Sequence, residues 1–315
     1  MIAAYAVYAS TVGFQIIRFW DIQNGSERQL NLERKTYLIS TVMTCLFGLG
    51  IFSLLLFIYT ADHIHDFFIG AMCAAGSLNV DKYGYPALTV KMVSVILCGI
   101  WLILNYTDNK ALDYPLIKVK YKFLMVITVL LIFDSYWLVN YFFGLKANVI
   151  TSCCGILFSE ETQSTAGEIA SLPSFTTQII FFLSVVLTIR VGIQFYLTGR
   201  SANLFSYFSA WLFLISLVSI ISFISLYFYE MPTHHCPFCL LQKEYHYIGY
   251  PLYLSLFAGG TAGIGIGVLE RVMGAASLAS VIPRLQKRLC LFSMINYVIF
   301  ALITAYPMIF SDFRL

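Results

Sequence analysis

Apolar stretches about as long as a lipid bilayer is thick follow one another along this chain, and few architectures can accommodate them. Crossing the hydrocarbon layer takes about 20 apolar residues per helix. Seven stretches meet that length, near 37–60, 88–106, 120–143, 175–199, 207–229, 248–269 and 289–310. An eighth, residues 1–17, is shorter and carries Ser10 and Thr11. It lacks the basic start and small-residue cleavage site of a secretory signal, so it reads as structure. Lipid offers no partner to a backbone amide, which selects helices over open sheet. The 315 residues are 59% hydrophobic and only 11% charged, against about 25% charged in soluble domains. The expected fold is therefore all-α: a polytopic integral membrane protein of about eight transmembrane helices, or seven if residues 1–17 do not span. Residues 1–315 form a single transmembrane domain in a lipid bilayer, with no long linker, no water-soluble domain and no internal repeat standing out.

Eight spans place both termini on one side, together with the loops 61–87, 144–174 and 230–247. The opposite side holds 13 Lys and Arg, among them Arg28, Arg34, Lys35, Lys118, Lys122, Arg284, Lys287 and Arg288. The terminal side has five: Lys82, Lys91, Lys146, Lys243 and Arg314. Cytoplasmic loops carry the excess of basic residues. The termini and the three long loops are thus expected outside, in a bacterial inner (cytoplasmic) membrane. No large basic domain is present, so nucleic acid is not an expected partner.

That sidedness gathers the reactive residues. Cys45, Cys98 and Cys290 lie inside spans, where a thiol acts as a small apolar group. Cys73, Cys153, Cys154, Cys236 and Cys239 all fall in the exterior loops, as do His63, His65, His234, His235 and His246. Cys236-Pro-Phe-Cys239 has the spacing used by both redox dithiols and metal clips. If the following span began near 239, Pro237 would suit its first turn, and the helix dipole would favour a thiolate. His235 beside the pair, His234, and the pair His63 and His65 are candidate metal ligands; on an extended segment the last two share a face. Adjacent cysteines rarely bond to each other, so Cys153 and Cys154 read as partners for distant thiols. Five exterior cysteines leave an odd one to ligate or react.

Gln242, Lys243, Tyr245 and His246 form a polar and aromatic segment suited either to an interfacial belt or to hydrogen bonds with a quinone or haem. Asp134 is the acidic residue deepest in a span, a position that marks a functional site by default, with Arg190 as its expected counter-charge. The glycine run 259–267 reads as a close-packing face.

Cys236-Pro-Phe-Cys239-Leu-Leu-Gln242-Lys243 resembles the Cys-x-x-Cys-x-x-Gln-Arg signature of the DsbB-type membrane disulfide oxidases. It is also similar to the helix-mouth pair of the vitamin K epoxide reductase family. The resemblance covers eight residues. It implies that Cys236 and Cys239 are a quinone-proximal pair, that Lys243 takes the place of the basic residue near the quinone, and that Cys153 or Cys154 shuttles electrons with Cys73 resolving. Those families use a four-helix core, and this chain has twice as many spans.

Three functions follow as expectations. The first is a thiol–disulfide:quinone oxidoreductase exchanging electrons with an exported thiol protein. The second is an exterior site for copper or haem, alone or beside respiratory-complex subunits. The third is a noncatalytic membrane subunit with structural cysteines.

Overall fold

A computed structural model describes residues 1–23, 25–147, 149–151 and 165–314. Among them eight helices are long and apolar enough to cross a membrane. They are α1 (Ile2–Phe19), α2 (Glu27–His63), α3 (Gly84–Asp108), α4 (Ile117–Gly144), α5 (Ser174–Thr198), α6 (Ala202–Ser219, continued to Tyr229), α7 (Gly249–Arg271) and α8 (Val281–Phe310). Residues 1–17 therefore belong to a full helix of spanning length. Ser26 caps α2 by accepting from the Gln29 amide at 3.3 Å. Gly199, in the left-handed region at φ 69°, ends α5, the conformation glycine adopts without steric cost. Hydroxyls inside spans turn back on their own helix, as when Thr41 donates to Tyr37 O and Thr60 to Leu56 O. That is how polar residues are tolerated in lipid.

The helices form two rings of four. In the first, α1 packs on α2 and α4, and α3 packs on α2 and α4; in the second, α5 packs on α6 and α8, and α7 packs on α6 and α8. Helix α3 joins the rings by packing against α7 and α8. The second ring thus shows the same contact pattern as the first. One short motif marks the correspondence: Gly84-Tyr85-Pro86 opens α3 and Gly249-Tyr250-Pro251 opens α7, 165 positions apart.

Glycine sets the closest approach within the second ring. A Cβ at Gly263 of α7 would collide with Ser209 Oγ of α6. Near its end α6 widens by one residue in a π turn, Ile220–Ile224. The extra residue frees the Ile221 carbonyl to accept from His235 Nδ1 at 2.8 Å.

Candidate metal and thiol centre

The Cys236–Cys239 pair does not open a spanning helix. Cys239–Leu241 and Lys243–Tyr245 are single 3₁₀ turns, and α7 begins only at Gly249. Gln242 is extended between those turns, and His246 and Tyr247 sit at φ 55° and 57°. Two consecutive left-handed residues that are not glycine carry strain of about 1–2 kcal/mol each, so the loop is held open by its surroundings. A helix-dipole effect on Cys236 is therefore not available, and the environment of the thiols comes from their neighbours.

Those neighbours include a cysteine from the other ring. Cys73 precedes the short helix Ala74–Leu78, whose five residues are all buried. Ala74 and Ala75 are small enough to let that backbone pass close by, and Cys73 Sγ comes to 3.6 Å from Cys236 Sγ. The Sγ atoms of Cys73, Cys236 and Cys239 all lie within 4.8 Å of one another, all buried. His234 Nε2 stands 3.4 Å from Cys239 Sγ, its ring edge-on to Tyr229 at 4.7 Å.

Polar contacts hold the two loops together. Asp62 Oδ1, at the end of α2, accepts from the Ala74 amide at 3.1 Å and from Gln242 Nε2 at 3.2 Å. Gln242 Nε2 also donates to Met72 O at 2.9 Å. From within the bundle, Tyr229 OH donates to Cys236 O at 2.5 Å and Tyr253 OH to Pro237 O at 2.6 Å. Sequence reasoning gave Asp62, Tyr229 and Tyr253 no role. The one available signal was the position of Asp62 at a span end among histidines.

The other expected residues scatter. His63 Nδ1 bonds Tyr59 O at 2.9 Å, and His65 turns to Asp62 O and to Asp66 Oδ1 at 3.2 Å. Neither joins the thiol cluster. His235 is buried, with Nε2 unpartnered among the described residues. Gln242 serves as a staple between loops; Lys243 and His246 are exposed, and Tyr245 packs on Tyr229 at 4.6 Å. Cys153 and Cys154 lie outside the described residues. Asp134 is paired with Lys91, Nζ to Oδ2 at 2.9 Å, and not with Arg190, which is exposed. Lys91 follows the start of α3 by two turns, so it reaches inward across the α3–α4 contact.

Directly beneath the thiols, an apolar cavity of about 320 Å³ separates the rings. Leu54 and Ile58 of α2, Tyr85 and Met92 of α3, and Tyr250 and Phe257 of α7 contribute to its wall. Pro237 and Phe238, the two residues between the cysteines, close it on the thiol side. Tyr85 and Tyr250 are the matching tyrosines of the two Gly-Tyr-Pro motifs, so the cavity straddles the joint between the rings.

The molecule is thus a helical membrane protein with a buried cysteine cluster fit for a metal ion or for redox chemistry. Comparison with known proteins finds no matching family model, no matching curated protein and no matching solved structure.

Proposed function

We propose that the protein captures a soft metal ion, copper(I) foremost, at Cys73, Cys236 and Cys239 on the outer face of the membrane. The supporting observation is the spacing of the three buried sulfurs. A disulfide needs its sulfurs about 2.05 Å apart, whereas metal–thiolate bonds of about 2.3 Å set ligand sulfurs about 3.8 Å apart. The 3.6 Å between Cys73 and Cys236 fits the second geometry. Thiolates select soft ions such as copper(I). His234 Nε2 lies 3.4 Å from Cys239 Sγ but outside the mutual cluster of the three sulfurs, so the proposed ligand set is the three cysteines. Elemental analysis of gently purified protein, with an optical spectrum to detect haem, tests the reading. About one soft metal per chain, lost in Cys236→Ser, is expected; protein that stays metal-free after copper supply refutes it.

The cavity favours a second reading, thiol exchange with a membrane quinone. Two thiols would give up two electrons and two protons as they close a disulfide, and the quinone would leave as quinol. Cys73 against Cys236 places two thiols from different loops side by side for such an exchange. Thiol trapping decides it: quinone added to the reduced protein must protect two cysteines from alkylation.

A further inference from the structure

The two rings serve as an internal control for what the scaffold itself requires. Near the end of the bundle away from the thiols, Asp108 and Lys120 pair across α3 and α4 at 2.7 Å, with Asn105 accepting from Lys120 Nζ at 3.0 Å. The second ring keeps a polar pair in that layer. Glu270 stands at the position matching Asn105, and it accepts from Gln286 Nε2 at 2.9 Å across α7 and α8. A polar lock at this depth is shared by both rings and is structural.

Lys91 and Asp134 differ. Lys91 lies seven residues into α3, about 10 Å below the helix mouth at 1.5 Å per residue. Lys91 is matched by the buried Leu256, and in the register that sets Gln286 against Lys120 the residue matching Asp134 is the buried Phe300. The same helix pair therefore packs without charge there. Buried ion pairs can usually be replaced by apolar residues at little cost to stability, and charges within a membrane mark ion or proton sites. The pair is also incompletely used. Oδ2 of Asp134 receives the ammonium, while Oδ1 is buried with no hydrogen-bond partner among the described residues, as is Ser94 Oγ one turn along α3. The Cys98 thiol on α3 is in electrostatic reach of both charges. On α1, which packs on α4, the titratable groups are Tyr5, Tyr8 and Arg18; on the helices that also pack on α3 the charged residues lie towards the ends: Glu27, Arg28, Glu33, Arg34, Lys35 and Asp62 on α2, Glu270 and Arg271 on α7, and Arg284, Lys287 and Arg288 on α8.

We infer that Asp134, held by Lys91, is an exchangeable proton site within the membrane. An incoming hydronium gives its proton to Oδ1, forming one O–H bond and leaving as water, while Lys91 keeps its contact with Oδ2. The reverse step releases the proton. The site stands independently of what the thiols bind.

Infrared difference spectra of the full-length protein in lipid vesicles, recorded between about pH 4 and pH 10, test the inference. A protonated-carboxyl band that comes and goes with pH is expected in the native protein and is lost in Asp134→Asn. The double variant Lys91→Leu with Asp134→Phe, which copies the buried pair of the second ring, is expected to lose the band and keep its helical circular dichroism and its size-exclusion profile. Two results overturn the inference: no band that depends on Asp134 anywhere in that pH range, or a double variant that fails to fold, which would make the pair structural.

Discussion

The contact on which the thiol cluster depends most is the Asp62 carboxylate, because it ties together loops from different rings. Asp62→Ala removes two hydrogen bonds at once, from Ala74 N–H at 3.1 Å and Gln242 Nε2 at 3.2 Å. Bonds to a charged acceptor contribute about 1.5–3 kcal/mol, and the lower end applies because Asp62 is half-buried. Two such bonds come to about 3 kcal/mol. If that loss acts wholly on the arrangement that brings Cys73 to the pair, the competent fraction falls and the apparent dissociation constant rises in proportion. At about 1.4 kcal/mol per tenfold, the expected weakening of copper(I) binding is about 100-fold. Asp62→Asn keeps an acceptor oxygen and should weaken binding about tenfold, whereas Gln242→Ala loses the bonds to both Asp62 Oδ1 and Met72 O and should weaken it nearly as much as Asp62→Ala. The assay is anaerobic competition between the detergent-purified protein and a chromogenic copper(I) chelator. Native affinity in Asp62→Ala would refute the stapling argument. Equal damage from Asn and Ala would show that charge, and not the hydrogen bonds, sets the site.

Cys73→Ala should cut copper(I) affinity by about 100-fold or more, since removing one ligand forfeits a share of the roughly 10–16 kcal/mol available to a structural metal–thiolate site; the same competition measures it. Tyr229→Phe strips the Cys236 carbonyl of its donor, an exchange worth about 1–3 kcal/mol for a buried acceptor, and should speed alkylation of Cys236 in intact protein. Chelation of bound metal should likewise expose the cluster, read by mass spectrometry as faster labelling of Cys73, Cys236 and Cys239 with Cys290 unchanged. Gly263→Leu drives a side chain into Ser209, and overpacking of that kind costs about 1–3 kcal/mol or more; the expected result is loss of the monodisperse peak in size-exclusion chromatography.

Seven spans were legible because the hydrocarbon thickness imposes their length, while α1, shorter and carrying Ser10 and Thr11, was left open by the sequence and is a helix of spanning length in the structure. Ser10 bonds the Thr128 hydroxyl of α4 at 2.8 Å, which is why a polar pair does not disqualify it. The cysteines that matter were also readable, since alternation alone sends Cys73 and the Cys236–Cys239 pair to one end. Their partners were not. Whether His63, His65 or His234 reaches the thiols depends on where α2 ends and how the loop after Glu230 folds back, and neither follows from local pattern. Lys91 was assigned to a loop flank, although it points into the α3–α4 contact, and that misplacement left Asp134 matched with Arg190. The shared contact pattern of the two rings was not legible because lipid-facing and core positions both accept almost any apolar residue. The Gly-Tyr-Pro turn, where a Cβ at Gly84 would strike the Leu78 carbonyl, is the one run of three identical letters at the 165-position spacing.

Electrostatics connects the geometry of the cluster to its occupant. Thiolates about 4 Å apart repel by about 4 kcal/mol per pair at an effective dielectric constant of 20, so three mutual pairs oppose full ionisation by about 12 kcal/mol. A single positive charge about 2.3 Å from each sulfur returns about 7 kcal/mol per contact on the same scale, or about 21 kcal/mol over three. A cation therefore reverses the balance, and the three thiolates form together with the ion that they bind. Binding must then release the thiol protons. The consequence separates the two readings of the centre. Copper(I) added to a weakly buffered protein should acidify the solution by up to three protons per site without any oxidant. Thiol exchange releases protons only when an electron acceptor arrives. Metal uptake with no proton release would show that the sulfurs bind as neutral thiols or not at all, and the trithiolate assignment would fall.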